Sequence, residues 1–235
     1  MPTLWSPADL KETLSKVGIG YMDHTQILSF HLAEMLKKHS ADFLGIQETK
    51  FLMGSMEARF PDLVREATRV LPIQKIAEIL QRLVSEDISV RNLRTVLEAL
   101  IEWGQKEKDS VLLTEYVRST LKRHISHKFS DGMNMLPAYL LAPGVEDTLR
   151  GAIRQTSAGS YLALDPSIGK RLLETIKRTI GNRASMTPKA VLLTSMDIRR
   201  YLRKLIEQDL YDIPVLSYQE LTPDINIQPL AKVEL

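Results

Sequence analysis

The sequence predicts a mixed α and α/β protein, a helical bundle followed by a small α/β domain. Two observations carry this. Between residues 44 and 128, apolar side chains recur at helical spacing almost without interruption. From about residue 133 onward, short apolar runs alternate with amphipathic stretches, the pattern of strands interleaved with helices.

In chain order, Ser6-Pro7 opens a helix through Lys16, with proline at its first position. Gly18 to Met22 reads as a short strand, and Asp23 as the cap of a helix carrying Ile27, Phe30, His31 and Leu32 toward Lys38. Three stripes follow: Ile73/Ile76/Leu80/Leu83, then Leu93/Val96/Leu97/Leu100/Ile101, then Leu113/Tyr116/Val117/Leu121/Ile125 on one further helix. Ser89 and Asp109 stand at N-cap positions. Beyond the bundle, Met135–Leu141, Ser160–Leu164, Ala190–Leu193, Ile213–Ser217 and Ile225–Val233 read as strands. Val145–Gln155, Asp165–Ile180 and Met196–Gln208 read as helices.

Composition narrows function. The 235 residues carry 31 basic and 29 acidic side chains, a net charge of +2, which gives no basic excess for gripping a nucleic-acid backbone or an anionic membrane. With no cysteine, disulfides, thiolate zinc sites, iron–sulfur clusters and cysteine nucleophiles are excluded. The longest apolar candidate for a membrane span, Met133–Val145, is interrupted by Asn134, Pro137 and Pro143 and falls short of the roughly 18 residues required. The N-terminus lacks the pattern of a secretion signal, and the chain reads as soluble and intracellular.

Catalytic templates fail. Leu164–Arg171 lacks the first glycine and the final Ser/Thr of a phosphate loop and reads as a capped helix start. His124 and His127 are three apart and within reach of Asp131, but His124 lies on an apolar stripe and reads as structural. Residues 72–102 form a helix-turn-helix, winged-helix-like pair. Arg91, Asn92 and Arg94 sit at the start of its second helix, where a DNA reader would place them. Glu86, Asp87, Glu98 and Glu102 surround them, so packing or assembly is the preferred reading. A helix-turn-helix DNA-binding regulator is the alternative.

The runs Leu71-Pro72-Ile73-Gln74-Lys75-Ile76-Ala77-Glu78-Ile79-Leu80 and Ile88-Ser89-Val90-Arg91-Asn92-Leu93-Arg94-Thr95-Val96-Leu97-Glu98-Ala99-Leu100 are more specific. With Phe30-His31-Leu32, His39 through Glu48, and Pro214-Val215-Leu216-Ser217-Tyr218-Gln219-Glu220-Leu221, they resemble the FHIPEP family of flagellar and type III secretion export-gate proteins. Glu102-Trp103 with Glu107-Lys108-Asp109 looks more like the injectisome branch than the flagellar one.

The resemblance implies a longer parent protein with a membrane-embedded N-terminal half and four cytoplasmic subdomains. Residues 1–43 would then be remnants of the first and second, 44–128 the helical third and 129–235 the α/β fourth. It implies a nonameric ring at the cytoplasmic face of the bacterial inner membrane, with no direct membrane contact by this stretch. It further implies docking of chaperone–cargo complexes and other export-apparatus proteins, no nucleic-acid partner, no cofactor and no enzymatic activity. The family's chaperone-binding positions correspond to Met22, Ile27 and Phe30, although flagellar members have threonine in place of Phe30 and an upstream Asp and Phe that have no counterpart here. Packing of these three into the core is the competing expectation. With the first subdomain's body missing, Trp5, Ile19, Tyr21 and Phe30 are expected to be exposed or covered by a neighbouring chain.

Overall fold

A computed structural model describes residues 4–156, 159–181 and 190–235. The N-terminal stretch is a 3-10 turn, Ala8–Leu10, running into helix α1 (Lys11–Lys16), and a separate helix α2 (His24–Lys38). Helix α2 starts as its sequence dictates. Asp23 accepts from the Gln26 N–H at 2.8 Å while the Gln26 side chain accepts from the Asp23 N–H at 2.9 Å, a reciprocal cap.

The strand expected at Gly18–Met22 is not formed. Gly18 takes φ +72° and closes α1, with the Ile19 N–H bonded back to the Leu14 carbonyl at 3.0 Å. A strand needs a paired neighbour, and the strands of the described residues all lie beyond residue 134.

Six helices make the bundle: α3 (Ile46–Glu57), α4 (Pro61–Val70), α5 (Ile73–Ser85), α6 (Leu93–Gly104), α7 (Ser110–Thr120) and α8 (Lys122–Phe129). The third stripe is therefore two helices, broken at Leu121. Asp109 caps α7 through the Val111 N–H at 2.9 Å, as predicted. Ser89 does not cap α6, which begins four residues later after Asn92; its hydroxyl instead accepts from the Arg91 N–H at 3.3 Å. Close packing sets the far end of α6, because a Cβ on Gly104 would lie 2.8 Å from Val70 Cγ1.

The α/β part runs β1 (Met135–Leu141), α9 (Pro143–Gly151), β2 (Ile153–Thr156), β3 (Gly159–Leu162), α10 (Pro166–Ile180), β4 (Val191–Thr194), α11 (Met196–Ile206), β5 (Val215–Ser217) and β6 (Asn226–Val233). The helix expected through Gln155 stops at Gly151, and Ile153–Thr156 forms an antiparallel hairpin with β3. The remaining strands make a parallel sheet in the order β5-β4-β1-β6.

Strands β1, β4 and β5 are buried on both faces, which explains why they read as continuous apolar runs, whereas the edge strand β6 is largely exposed and carries Asn226, Gln228 and Lys232. Leu136 and Ala138 of β1, Val191 and Leu193 of β4 and Leu216 of β5 pack into the same core as α5, α6 and α7. Tyr139, Leu141, Leu192 and Val215 point the other way, into a second core with α9, α10 and α11. Bundle, sheet and outer helices are thus three layers, with the sheet in the middle. The N-terminal stretch stands apart from both cores, since no residue of α1 or α2 is buried.

Candidate docking surfaces and the central cleft

Helix α2 presents apolar side chains all round. Leu28, Phe30, Leu32, Met35 and Leu36 are exposed, as is Met22 just before the helix, while Ile27 is half-buried. Of the three proposed partner-binding residues, none is in the core, and Met22 and Phe30 are open to solvent. Trp5 at 88%, Ile19, Tyr21 and Phe30 at 50% are exposed as expected, which leaves several large apolar side chains of this stretch in contact with water.

Arg91 and Asn92 precede α6 and are exposed, and Arg94 is on its first turn. The geometry does not suit DNA reading. The Arg94 guanidinium bonds Glu98 at 2.8 Å and lies 5.0 Å from the centre of the Phe60 ring, while Glu98 and Glu102 share the exposed face of α6.

Sequence reasoning missed the polar centre of the molecule. Arg118 on α7 and Arg199 on α11 are each 1% exposed. Arg199 holds both oxygens of Glu115, at 2.6 and 2.5 Å, and both oxygens of Glu86, at 2.5 and 3.0 Å. It also donates to the Val215 carbonyl at 3.1 Å. Arg118 grips Glu220 Oε2 at 2.6 Å and sits 3.2 Å from Glu86. The other Glu220 oxygen accepts from the Ser217 N–H at 3.0 Å and hydroxyl at 2.8 Å. Glu220 is the glutamate of the C-terminal run quoted above, so its place in that run has a physical reason: it closes the turn after β5 and anchors α7 to it.

Burial pushes the Glu86 carboxyl up, but Arg118 and Arg199 outweigh this and hold it at about 2. The Arg199 guanidinium, destabilised by burial, is carried well above its ordinary value by Glu86 and Glu115. Signals for this network were faint but present. Arg118 and Arg199 each directly follow a fully buried residue of the apolar stripe, Val117 and Ile198, where a charge needs a partner.

Glu86, Glu115 and Arg199 form the floor of an open cleft of about 1250 Å³. Its walls are the end of α2, the N-terminal half of α7, helix α11 with Tyr211, and strand β3. Among the described residues no cluster of His, Asp and Glu could hold a metal ion, and His124 and His127 gather no third ligand. Burial lowers the His124 imidazole, helped by Lys128 and His127, which fits a structural role. Leu164–Arg171 is the capped start of α10, where Asp165 accepts from the Ser167 N–H at 2.8 Å. No helix of the described residues is long and apolar enough to cross a membrane.

The FHIPEP family model matches residues 1–226. The chain belongs to the FHIPEP family. Its relatives include Low calcium response locus protein D of Yersinia pestis, 53% identical over 97% of this chain but only 32% of that protein. The chain therefore spans about a third of the length of the curated relatives it matches. Among solved structures, the Chlamydia pneumoniae CdsV and CdsO complex matches at 51% identity and TM-score 0.90, covering 98% of this chain and 68% of that one. The nonameric EscV cytosolic domain from the type III secretion system matches at 40% identity and TM-score 0.80, covering 91% of this chain and 63% of that one. These FHIPEP relatives are components of type III secretion, the injectisome side of the resemblance, and the mixed α and α/β fold is theirs.

Proposed function

We propose that this chain is the cytoplasmic part of the export gate of a bacterial type III secretion system. In this reading it forms a nonameric ring below the membrane channel, at the cytoplasmic face of the inner membrane, and docks chaperone–cargo complexes for export. It works by binding and has no catalytic chemistry. The observation that carries this is the likeness to a nonameric type III secretion cytosolic domain along almost the whole chain. The exposed side chains of Met22 and Phe30, with half-buried Ile27 beside them, support a surface that receives partner helices or strands. The solved complex of CdsV with CdsO supports docking of other export-apparatus proteins. Arg91, Asn92 and Arg94, exposed at the start of α6, are assigned to ring contacts between copies.

The test is electron microscopy and native mass spectrometry of the chain extended to the whole cytoplasmic region, with a cognate chaperone–cargo complex added. Nine-fold rings that retain the complex are expected. Loss of retention in Met22→Asp/Phe30→Asp with rings intact places docking on this face. A monomer at high concentration that captures no complex would overturn the proposal.

A further inference from the structure

Among the described residues the hairpin β2–β3 leaves one edge of β3 without a neighbouring strand, and that edge borders the central cleft. All four residues Gly159–Leu162 line the cleft. Side chains of a strand alternate between faces, so a consecutive run of lining residues fits a cleft that runs along the strand's edge, and Thr156 of β2 joins the lining at the hairpin end. The register pairs Arg154 with Tyr161 and Thr156 with Gly159, and the Ala163 N–H bonds the Ala152 carbonyl at 2.8 Å. Antiparallel pairs alternate between bonded and non-bonded, so the main-chain N–H and C=O groups of Ser160 and Leu162 point away from β2, toward the cleft.

The wall across from this edge is basic. Arg200, Arg203 and Lys204 lie at i, i+3 and i+4 on α11, and Lys38 ends α2 beside them. Asp109 and Glu207 are the carboxylates of the rim; Asp109 lies 3.8 Å from the largely buried Arg200, and Arg203 gives one N–H to the Ile213 carbonyl at 3.0 Å, so Lys38 and Lys204 are the most open cations. Neighbours on a helix face stand about 5–6 Å apart. Alternate side chains of an extended strand repeat at about 6.6–6.8 Å, close enough for acidic groups of a strand laid along β3 to meet these cations in turn. The cleft volume exceeds the roughly 300–1,000 Å³ typical of small-molecule sites and suits a segment of chain. The buried Arg–Glu network beneath fixes the floor, so the groove is formed in advance.

We propose that this cleft binds an extended acidic peptide segment as a third strand on the free edge of β3, with its carboxylates facing Lys38, Arg203 and Lys204. The main chain of β3 supplies affinity and the basic wall supplies selectivity. This holds or fails on the present chain, independently of ring formation and of docking on α2.

The probe is a fluorescein-labelled octapeptide alternating glutamate and valine, with its lysine–valine counterpart as control, followed by fluorescence anisotropy. The acidic peptide is expected to bind and the basic one not to. Lys38→Glu/Lys204→Glu, both on exposed side chains, is expected to weaken binding about tenfold or more. Ser160→Pro removes an outward N–H without touching the β2 ladder and is expected to abolish binding, with circular dichroism confirming the fold. Peptides N-methylated at alternate residues test the unaltered protein: methylation along one edge should abolish binding and along the other should leave it. Equal binding of both methylated forms would overturn the proposal. So would displacement of all forms alike by an oligodeoxythymidylate of equal charge, since the site would then be a general polyanion surface.

Discussion

Glu86 shows how much a single carboxylate contributes when two buried guanidiniums face it. Its folded value of about 2 lies below the ordinary 4.5, so the charged form is the one that folding stabilises. The contribution is complete above about pH 4.5 and is lost as pH falls through 2; at about 1.4 kcal/mol per unit it amounts to about 3 kcal/mol. Glu86→Gln should therefore be less stable than the parent at about pH 6, with the difference closing by about 3 kcal/mol near pH 2 in urea titrations. A difference constant with pH would mean that another group governs acid unfolding. Gly104 makes the opposite case, a residue that matters for what it lacks. With Val70 2.8 Å from where a Cβ would stand, Gly104→Ala should cost about 1–3 kcal/mol despite alanine's better helix propensity. An unchanged midpoint in thermal unfolding would show that the end of α4 yields freely.

The end of α5 depends on both backbone and charge, and the two can be separated. Asp87 takes φ +61°, its N–H bonds the Val84 carbonyl at 2.9 Å, and the Ile88 N–H bonds the Leu83 carbonyl at 2.8 Å. Its carboxylate also bridges Lys37 of α2 at 3.1 Å and Lys128 of α8 at 2.8 Å. Burial raises this carboxyl, but Lys128 and Lys37 prevail and lower it. Asp87 and Lys37 are exposed and Lys128 only half-buried, so the pairs contribute little, and the left-handed turn matters more. Asp87→Asn keeps a residue that tolerates the turn and should cost less than about 1 kcal/mol. Asp87→Ala should cost about 1 kcal/mol more, and equal losses in denaturant titrations would assign the effect to charge instead. Elements such as β1, α2 and α10 were legible because caps and periodicity are local. Strand β3 was read too, at Ser160–Leu164, but its partner β2 was not, because Ile153–Thr156 continues the helical spacing of α9 and only the pairing with Tyr161 and Ser160 marks it as a strand. Nor was the Arg118–Arg199 centre, whose hydrogen-bonded Arg–Glu pairs lie 84 to 113 residues apart in sequence.

At the scale of the molecule, the sheet couples what sequence texture divides. Leu136, Ala138, Val191, Leu193 and Leu216 close the core of the bundle, while the same strands close the outer core with Tyr139, Leu192 and Val215. Neither part can open without baring one face of the sheet, and the Arg118 and Arg199 centre would lose its paired charges at the same moment, a loss of several kcal/mol for each stranded ion. Bundle and α/β layers should therefore unfold as one unit, with far-UV and near-UV transitions coincident in denaturant. Helix α2 belongs to neither core: it buries no residue and is tied down mainly by Lys37 to Asp87 and by a 3.4 Å bond from the Tyr211 hydroxyl to the Lys37 carbonyl. Native-state hydrogen exchange should accordingly show amides of α5, α7, β1 and β4 exchanging only through global unfolding, while those of α2 exchange through local opening at far lower free energy. Protection of α2 that rises on assembly would identify its bare apolar face as the part of the chain that waits for a neighbour. Protection equal to that of α5 in the isolated chain would mean that its tethers hold more than their exposure allows.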